Sequence, residues 1–379
     1  MSVFVNAGKR DGGVLVRFTV RTMGSIGAAA IATATIAACG GSSSDSSSGG
    51  GGGGGGASGK VAFLMPDQAS TRYEKQDHPL FEQRLKELCS GCQVIYQNAD
   101  SDPSKQQQQA TTAITQGVKV MVVDPVDAAS LASTLNQAKS RGIKVVAYDR
   151  PFPKFKVDAY VSFDNEKIGK LISSSLMDHL KQTGAASKGG ILQVNGSPTD
   201  AAAGLIKKGV HEGVDPSGVK ELAEFDTPDW VPAKAQDWVS GQISKYRGQI
   251  IGVVAANDGT GGGAISAFKA AGMNPVPPVT GNDAELAAIQ RIVNGDQYNT
   301  INKPIKIVAS AAAEAAYSLL QGKQPKTTTT VFGSPAALYT PFVVTKENVK
   351  KQMIDSGLIK ASELCTKAYA KGCAALGIE

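Results

Sequence analysis

The residues best suited to chemistry are Asp149 and Arg150, which directly follow an apolar run in the segment 142–150, GIKVVAYDR. An apolar run rich in valine and isoleucine, bounded by Gly142 and Pro151, is typical of a strand buried on both faces of a parallel sheet. Ligands of open α/β sheets bind beyond the carboxyl ends of the strands. Because a carboxylate accepts hydrogen bonds and a guanidinium donates them, this pair suits a polyol, whose hydroxyl groups do both. We therefore take a sugar site as the working hypothesis.

Similar polar residues follow other predicted strands. Asp and Asn also favour turns and helix N-caps, so a single one of them is weak evidence for a site. Their repetition in both halves of the chain favours one shared site, and the residues in question are Asp67, Asp149, Arg150, Asn195, Asp200, Asp226, Asn257, Asp258, Asn282 and Asp283.

Two aromatic residues lie near these positions. Trp230, one of two tryptophans, is in a loop between Pro228 and Pro232. Aromatic rings stack on the C–H face of a pyranose and add apolar contact to polar recognition. Tyr73 is a candidate for a second stacking face. The structural alternatives are a Trp230 that packs on its own loop and a Tyr73 in the first turn of an amphipathic helix.

The elements that must position these residues alternate between strand and helix. From Lys60, the apolar runs KVAFLM, VIYQ, VKVMVV and GIKVVAY are separated by segments with helical periodicity. This alternation predicts βαβ units, a parallel sheet and right-handed crossovers. After a short strand at 160–163, the pattern starts again with a helix over 165–180. A helix over 305–320 and the strand-like LYTPFVV indicate that the chain later crosses back between lobes.

We therefore predict an α/β protein with two Rossmann-like lobes, each a parallel sheet flanked by helices, joined by a multi-strand hinge with a ligand cleft between them. The boundaries follow the repeated pattern. They are 60–162 plus about 284–323 for the N-terminal lobe, 163–283 plus about 324–345 for the C-terminal lobe, and 346–379 for a tail with a cysteine pair.

The N-terminus has the pattern of an export signal. Two arginines precede an apolar, small-residue stretch at 23–38, which has the length of a signal-peptide core and is short for a membrane span. It ends in IAAC, which resembles a bacterial lipobox and implies a lipoprotein signal peptide over 1–39 with lipidation of Cys39. A plain secretory signal with a chance cysteine is the alternative. The Gly/Ser-rich residues 40–59 predict a flexible tether.

Four further cysteines are an even number in an exported chain. They favour two local disulfides, Cys89 with Cys92 and Cys365 with Cys373. The alternatives are a thioredoxin-like CxxC site and a four-cysteine zinc site. Against them, Cys89 follows a charged amphipathic helix rather than a strand, and the second pair lacks the spacing of a metal knuckle.

Other function classes find little support. The formal charge is +6, and half of it precedes Cys39, which is too little for a nucleic-acid-binding surface. The segment 259–264, GTGGGA, fits a dinucleotide-binding pattern with Asp283 about twenty residues further on. However, Asp258 would put a carboxylate beside the pyrophosphate, so we expect these glycines to begin a helix and let it pack closely on the sheet. His78 lacks an assigned catalytic partner, and we expect no cofactor, metal or catalytic residue.

These segments resemble the periplasmic-type sugar-binding proteins of ABC importers and, among them, the D-xylose-binding proteins. The resemblance is carried by STRYEKQD, VVAYDRP, DAYVSFDNEKIGKL, NGSPTDAAAG, FDTPDWVPAKA, AANDGTGGGAI, TGNDAELAAIQRIVNGDQYNT and NKPI. It implies sugar contacts at Arg72, Asp149, Arg150, Asp200, Trp230, Asn257, Asp283 and Lys303. The chain departs from the pattern at Ala201 and Ala202, where relatives often carry an asparagine, and this leaves the sugar open.

The resemblance further implies a non-enzymatic monomer that closes its lobes on a monosaccharide and docks on an ABC importer permease. With the lipid anchor, the protein would lie outside the cytoplasm on the cell membrane. The alternatives are a sugar-sensing receptor of the same fold that feeds a membrane sensor, and an exported enzyme.

Overall fold

The computed structural model describes residues 58–379. The predicted signal peptide over 1–39, the lipidation site Cys39 and nearly all of the predicted tether over 40–59 lie outside the described residues.

Strands and helices alternate as predicted for most of the described chain. The strands are β1 (Lys60–Met65), β2 (Gln93–Asn98), β3 (Val120–Val123), β4 (Lys144–Tyr148), β5 (Ala159–Phe163), β6 (Gly190–Asn195), β7 (Lys220–Asp226), β8 (Ile250–Ala255), β9 (Asn299–Asn302), β10 (Thr329–Val331), β11 (Ser334–Tyr339) and β12 (Phe342–Thr345). The α-helices are α1 (His78–Leu88), α2 (Pro103–Thr115), α3 (Ala128–Ser140), α4 (Asn165–Gln182), α5 (Ala201–Val214), α6 (Pro232–Tyr246), α7 (Asp258–Ala270), α8 (Leu286–Asn294), α9 (Ile305–Leu320), α10 (Ala361–Leu364) and α11 (Ala370–Ala375).

The first lobe is built on a sheet with the strand order β10-β11-β5-β4-β3-β1-β2, in which only the β10-β11 pair is antiparallel. Successive residues of β1 point to opposite faces, as strand geometry requires. Val61 and Phe63 pack with α1 and α9 on one face. Ala62 and Leu64 pack with α2 and α3 on the other. The prediction of a parallel sheet buried on both faces is thus confirmed.

The second lobe contains a parallel sheet of β7, β6 and β8. Helices α4 and α5 pack against each other, as do α6 and α7. The glycine-rich segment begins α7 and packs on the sheet as predicted, since a Cβ atom at Gly261 would lie 3.5 Å from the Cβ of Ala255 in β8. The same helix also packs closely on α6, at Gly263. A Cβ atom at this position would lie 2.3 Å from the carbonyl oxygen of Pro232 in α6, so a larger residue would force the two helices apart.

The two lobes are connected by three chain segments, which join β5 to α4, β9 to α9 and β11 to β12. Each connection runs from one lobe to the other. Strands β5 and β11 belong to the first sheet, and α9 packs on it, whereas β9 and β12 pair with each other beside α4 in the second lobe. The predicted fold class, two lobes joined by a multi-strand hinge, is confirmed.

Two lobe boundaries differ from the prediction. The segment 284–302 was predicted in the N-terminal lobe, but β9 pairs with β12 beside α4, and α8 contacts β9, so both belong to the second lobe. The sequence-based division put 324–345 in the C-terminal lobe, but β10 and β11 extend the first sheet because β11 pairs with β5. The run LYTPFVV is also two strands rather than one. The chain leaves the first sheet after Tyr339 and reaches the second lobe at Phe342, with Pro341 between them.

The C-terminal tail packs on α8 through an apolar cluster that includes Ile289 and Val293 of α8 and Leu364 and Cys373 of the tail. The structure contains two disulfides, Cys89–Cys92 and Cys365–Cys373, which are the pairings favoured by the sequence. Among the described helices, none combines the length and apolar character needed to cross a bilayer.

Candidate functional site

A small cavity between the two lobes brings the predicted contact residues together. Its lining also includes Ser70, Asn165, Ala202, Ile206 and Asn282. The nine predicted residues that line it are Arg72, Tyr73, Asp149, Arg150, Asp200, Trp230, Asn257, Asp283 and Lys303.

Local backbone structure presents these side chains at the ends of strands and the starts of helices. Asp200 and Asn257 are the N-caps of α5 and α7. Asp149, Trp230 and Asp283 have positive φ angles of 56°, 58° and 100°, a region that costs non-glycine residues energy and is enriched at functional sites. The turn at Asp149 follows β4 directly and aims its side chain into the cavity rather than along the strand.

Arg150 is held by groups from both lobes. Its Nη2 lies 2.7 Å from Oδ2 of Asp67, and its Nη1 donates to the carbonyl oxygen of Pro125 at 3.2 Å. Its Nε lies 3.0 Å from Oδ2 of Asp200 in the second lobe and 3.4 Å from Oδ1 of Asp124 in the first. The guanidinium therefore crosses the cleft at a fixed position, with buried carboxylates on both sides.

Arg72 and Lys303 form a second bridge across the cleft. Arg72 is anchored in its own lobe by Asp77, which lies 2.8 Å from its Nη2. Its Nη1 lies 3.5 Å from both Asp149 and Asp283. The Nζ of Lys303 lies 2.7 Å from Asp283 and 3.9 Å from Asp149. Two carboxylates from different lobes therefore share two cations at the centre of the site.

Trp230 forms an apolar wall of the cavity. Its Nε1 donates to Oδ2 of Asp200 at 3.0 Å, which fixes the direction of the indole. Gly196 lies against the ring, and a Cβ atom there would be 2.1 Å from two indole carbons. Together with Ala202 and Ile206, the indole provides an apolar surface in a cavity otherwise lined mostly by polar groups.

The buried charges shift the pKa values of the acids in opposite directions. Burial by itself raises the pKa of Asp149, but Arg72, Lys303 and Arg150 outweigh burial and lower the pKa to about 2. Asp149 is therefore an ionised acceptor at neutral pH. For Asp124, burial dominates and raises the pKa well above its ordinary value, although Arg150 opposes the shift.

Some residues singled out from the sequence lie elsewhere. Asn195 and Asp226 belong to a separate network with Lys207. Asp258 is buried at the start of α7, where its carboxyl group accepts hydrogen bonds from Gln297 and Thr300. His78 stacks on Tyr96 with a ring separation of 3.6 Å. These residues are not among those lining the cavity.

Asp124 and Asp77 lie behind the cavity, in contact with Arg150 and Arg72, and the sequence interpretation missed both. Asp124 directly follows β3, so the strand-end rule that selected Asp67 and Asp149 would also have selected it. Asp77 is at the end of a π-helical turn over Tyr73–Asp77, and no periodicity in the sequence marks it.

The arrangement is suited to binding a small molecule with many hydroxyl groups. Ionised acceptors and guanidinium or ammonium donors alternate around the cavity, and the indole covers one side. Within residues 58–379, no group of three His, Cys, Asp or Glu side chains is arranged to hold a metal ion.

Comparison with known proteins agrees with this geometry. A family profile described as a periplasmic binding protein domain matches residues 61–324. The D-xylose-binding periplasmic protein of Escherichia coli (strain K12) is 35% identical over 313 residues, which cover 80% of this chain and 92% of that protein. The multiple sugar-binding periplasmic receptor ChvE of Rhizobium radiobacter is 31% identical over 329 residues, with coverages of 81% and 92%.

A solved structure shows the same fold. It is an ABC transporter solute binding protein from Clostridium phytofermentans with bound β-D-glucose, and it has a TM-score of 0.73 and 27% identity. The match covers 80% of this chain and 99% of that chain. The fold and site define a two-lobed binding protein, and the chain belongs to the periplasmic binding protein family.

Proposed function

We propose that this protein is an extracytoplasmic solute-binding lipoprotein that captures a monosaccharide, D-xylose or a related sugar, and delivers it to an ABC-type importer. The observation that carries the proposal is the convergence of charged and amide side chains from both lobes, with an indole, on one buried cavity. The relatives named for D-xylose and for multiple sugars support the choice of a sugar.

The mechanism is hinge closure. A sugar that bridges Asp149 and Arg150 of the first lobe and Asp200, Asn257 and Asp283 of the second gains contacts in the closed form that it lacks in the open form. Closure is then favoured by this difference in affinity. No bond of the sugar is made or broken, and the protein acts as a monomer.

The number of polar groups is sufficient for tight binding. One net hydrogen bond contributes about 0.5 to 1.5 kcal/mol, and more when a charged group takes part. About eight such contacts, with packing on the indole of Trp230, offset the cost of ordering the ligand and closing the lobes. The expected affinity is micromolar or tighter, about −8 kcal/mol or more favourable.

Membrane anchoring is the part of the proposal that depends on the sequence alone. The lipobox-like IAAC at 36–39 and the Gly/Ser-rich segment over 40–59 support a lipid on Cys39 and a tether to the folded lobes. Metabolic labelling with a lipid precursor should mark the wild-type protein and not the Cys39→Ala variant. Equal labelling of the two would contradict the anchor.

The sugar is tested by a thermal-shift panel of D-xylose, ribose, glucose and galactose, followed by calorimetry on the best ligand. A ligand at about 100 times its Kd stabilises the folded state by about 2.7 kcal/mol, which a thermal scan detects. We expect the largest shift with D-xylose and no shift with the Arg150→Ala variant. If no sugar stabilises the wild type, or if the variant responds equally, the proposal is wrong.

A further inference from the structure

Asp124 has no role in the binding mechanism described so far, although it is buried in contact with the site. Its exposed fraction is 0%. Its backbone N–H and carbonyl oxygen are bonded to Leu64 and Gln106. Among the described residues, no group donates a hydrogen bond to either oxygen of its carboxyl group. A buried carboxyl group without hydrogen bonds is costly, and it requires an explanation.

Oδ1 of Asp124 lies 3.4 Å from the Nε of Arg150. The same nitrogen lies 3.0 Å from Oδ2 of Asp200. Nε carries a single hydrogen, so only one of the two carboxylates can accept it with good geometry. The rest of the guanidinium is occupied within the first lobe, by Asp67 on Nη2 and by the carbonyl oxygen of Pro125 on Nη1.

The two competing carboxylates belong to different lobes. Asp124 follows β3 in the first lobe, the lobe that carries Arg150, whereas Asp200 begins α5 in the second. When the lobes separate, Asp200 moves away from Arg150 and Asp124 does not. Asp124 is then the protein acceptor nearest to the Nε hydrogen. The Nε edge of the guanidinium therefore keeps an acceptor when the cleft opens.

From this geometry we propose that Asp124 is a positioning residue that competes with Asp200 for the Nε hydrogen of Arg150 and thereby stabilises the open form of the protein. The proposal rests on the function proposed above, since it requires lobes that open and close. It assigns Asp124 an effect on the closing equilibrium rather than a contact with the ligand. Replacing its carboxyl group should weaken this competition and shift the population towards the closed form.

The test measures lobe separation in sugar-free protein. Spin labels are attached through an azido amino acid in place of Lys154 and Thr199, two exposed residues that face each other from different lobes across one groove. The variants are Asp124→Asn, which keeps the shape of the side chain, and Asp124→Leu, which also removes its polarity. Asp102→Asn is the matched control, because it makes the same substitution at the exposed N-cap of α2 in the same lobe.

We expect the ratio of closed to open protein to rise about threefold or more in Asp124→Asn, with no change in Asp102→Asn. Because a ligand's apparent Kd scales inversely with the fraction of competent protein, the Kd for the best sugar should fall when the closed form becomes more populated. Weaker sugar binding with an unchanged or longer label distance would overturn the proposal. If Asp124→Asn does not fold, Asp124→Leu decides by the same criteria.

The outcome can be separated from that of the proposed function. The distance measurement needs no ligand, so a shift in the label distance supports the role of Asp124 even if no sugar of the panel binds. Sugar binding by the wild type together with identical distances in all variants would retain the proposed function and refute this inference.

Discussion

The close contact between Gly196 and Trp230 gives a sharp test of the site. A Cβ atom at Gly196 would lie 2.1 Å from two indole carbons, whereas carbon atoms in contact lie about 3.5 Å apart or more. In Gly196→Ala the indole must therefore move by about 1.4 Å. A shift of this size would stretch its hydrogen bond to Asp200, now 3.0 Å, beyond the normal range.

Overpacking of this kind costs about 1 to 3 kcal/mol. If the ring leaves its position in the cavity, sugar affinity should fall by about 5-fold to about 150-fold, since 1.4 kcal/mol corresponds to a factor of ten. Isothermal calorimetry measures the affinity. Tryptophan fluorescence reports whether the indole environment has changed.

Gly204 in α5 is the matched control, because a Cβ atom there would meet no atom within 4 Å. Gly204→Ala should leave sugar affinity unchanged and stabilise the protein by about 0.5 to 1 kcal/mol. Wild-type affinity and an unchanged melting temperature in Gly196→Ala would refute the assigned position of the indole.

Three further predictions concern buried carboxylates and the contact between lobes. Asp149→Asn keeps the side-chain shape but removes the ionised acceptor, so affinity measured by calorimetry should fall about tenfold or more, and equal affinity would place this residue outside the site. Burial raises the pKa of Asp258 to about 8 from 3.8, so the folded form holds a proton that the unfolded form releases. The free energy of unfolding should therefore decrease between about pH 4 and about pH 8, by about 1.4 kcal/mol per pH unit from this group. Asp258→Asn should lack that contribution in urea unfolding at several pH values, and identical slopes would contradict the assignment. Oε1 of Glu285 accepts hydrogen bonds from N and Oγ1 of Thr71 at 3.1 and 3.2 Å. Thr71→Val should therefore raise the sugar dissociation rate up to about fivefold in stopped-flow measurements. An unchanged rate would show that this contact does not hold the lobes together.

The sequence was sufficient to predict the strands, the helices and most residues of the candidate site, because these features depend on local patterns. Apolar runs such as KVVAY can be buried only inside a sheet, and the polar residues that follow them emerge at the edge where parallel strands end. Asp149 and Arg150 were found in this way. The cysteine pairs were also local, since each is separated by only 3 or 8 positions.

Features that depend on packing between distant segments were not available from the sequence. The assignment of β11 to the first sheet depends on its pairing with β5, more than 170 residues earlier in the chain. No local pattern distinguishes that partner from a strand of the other lobe. Similarly, Gly196 is one of 43 glycines, and only the tertiary structure shows that an indole occupies the space where its side chain would be.

The sequence by itself determined that the chain alternates strands and helices, that it forms two lobes, and which polar residues end the strands. These properties follow from periodicity and from the residues on either side of each run. The tertiary structure alone decided how the charges are shared, because Arg150 lies between Asp124 and Asp200 only after the lobes have come together. Which carboxylate a guanidinium meets is set by distances of about 3 Å between separate segments, and no spacing along the chain encodes them.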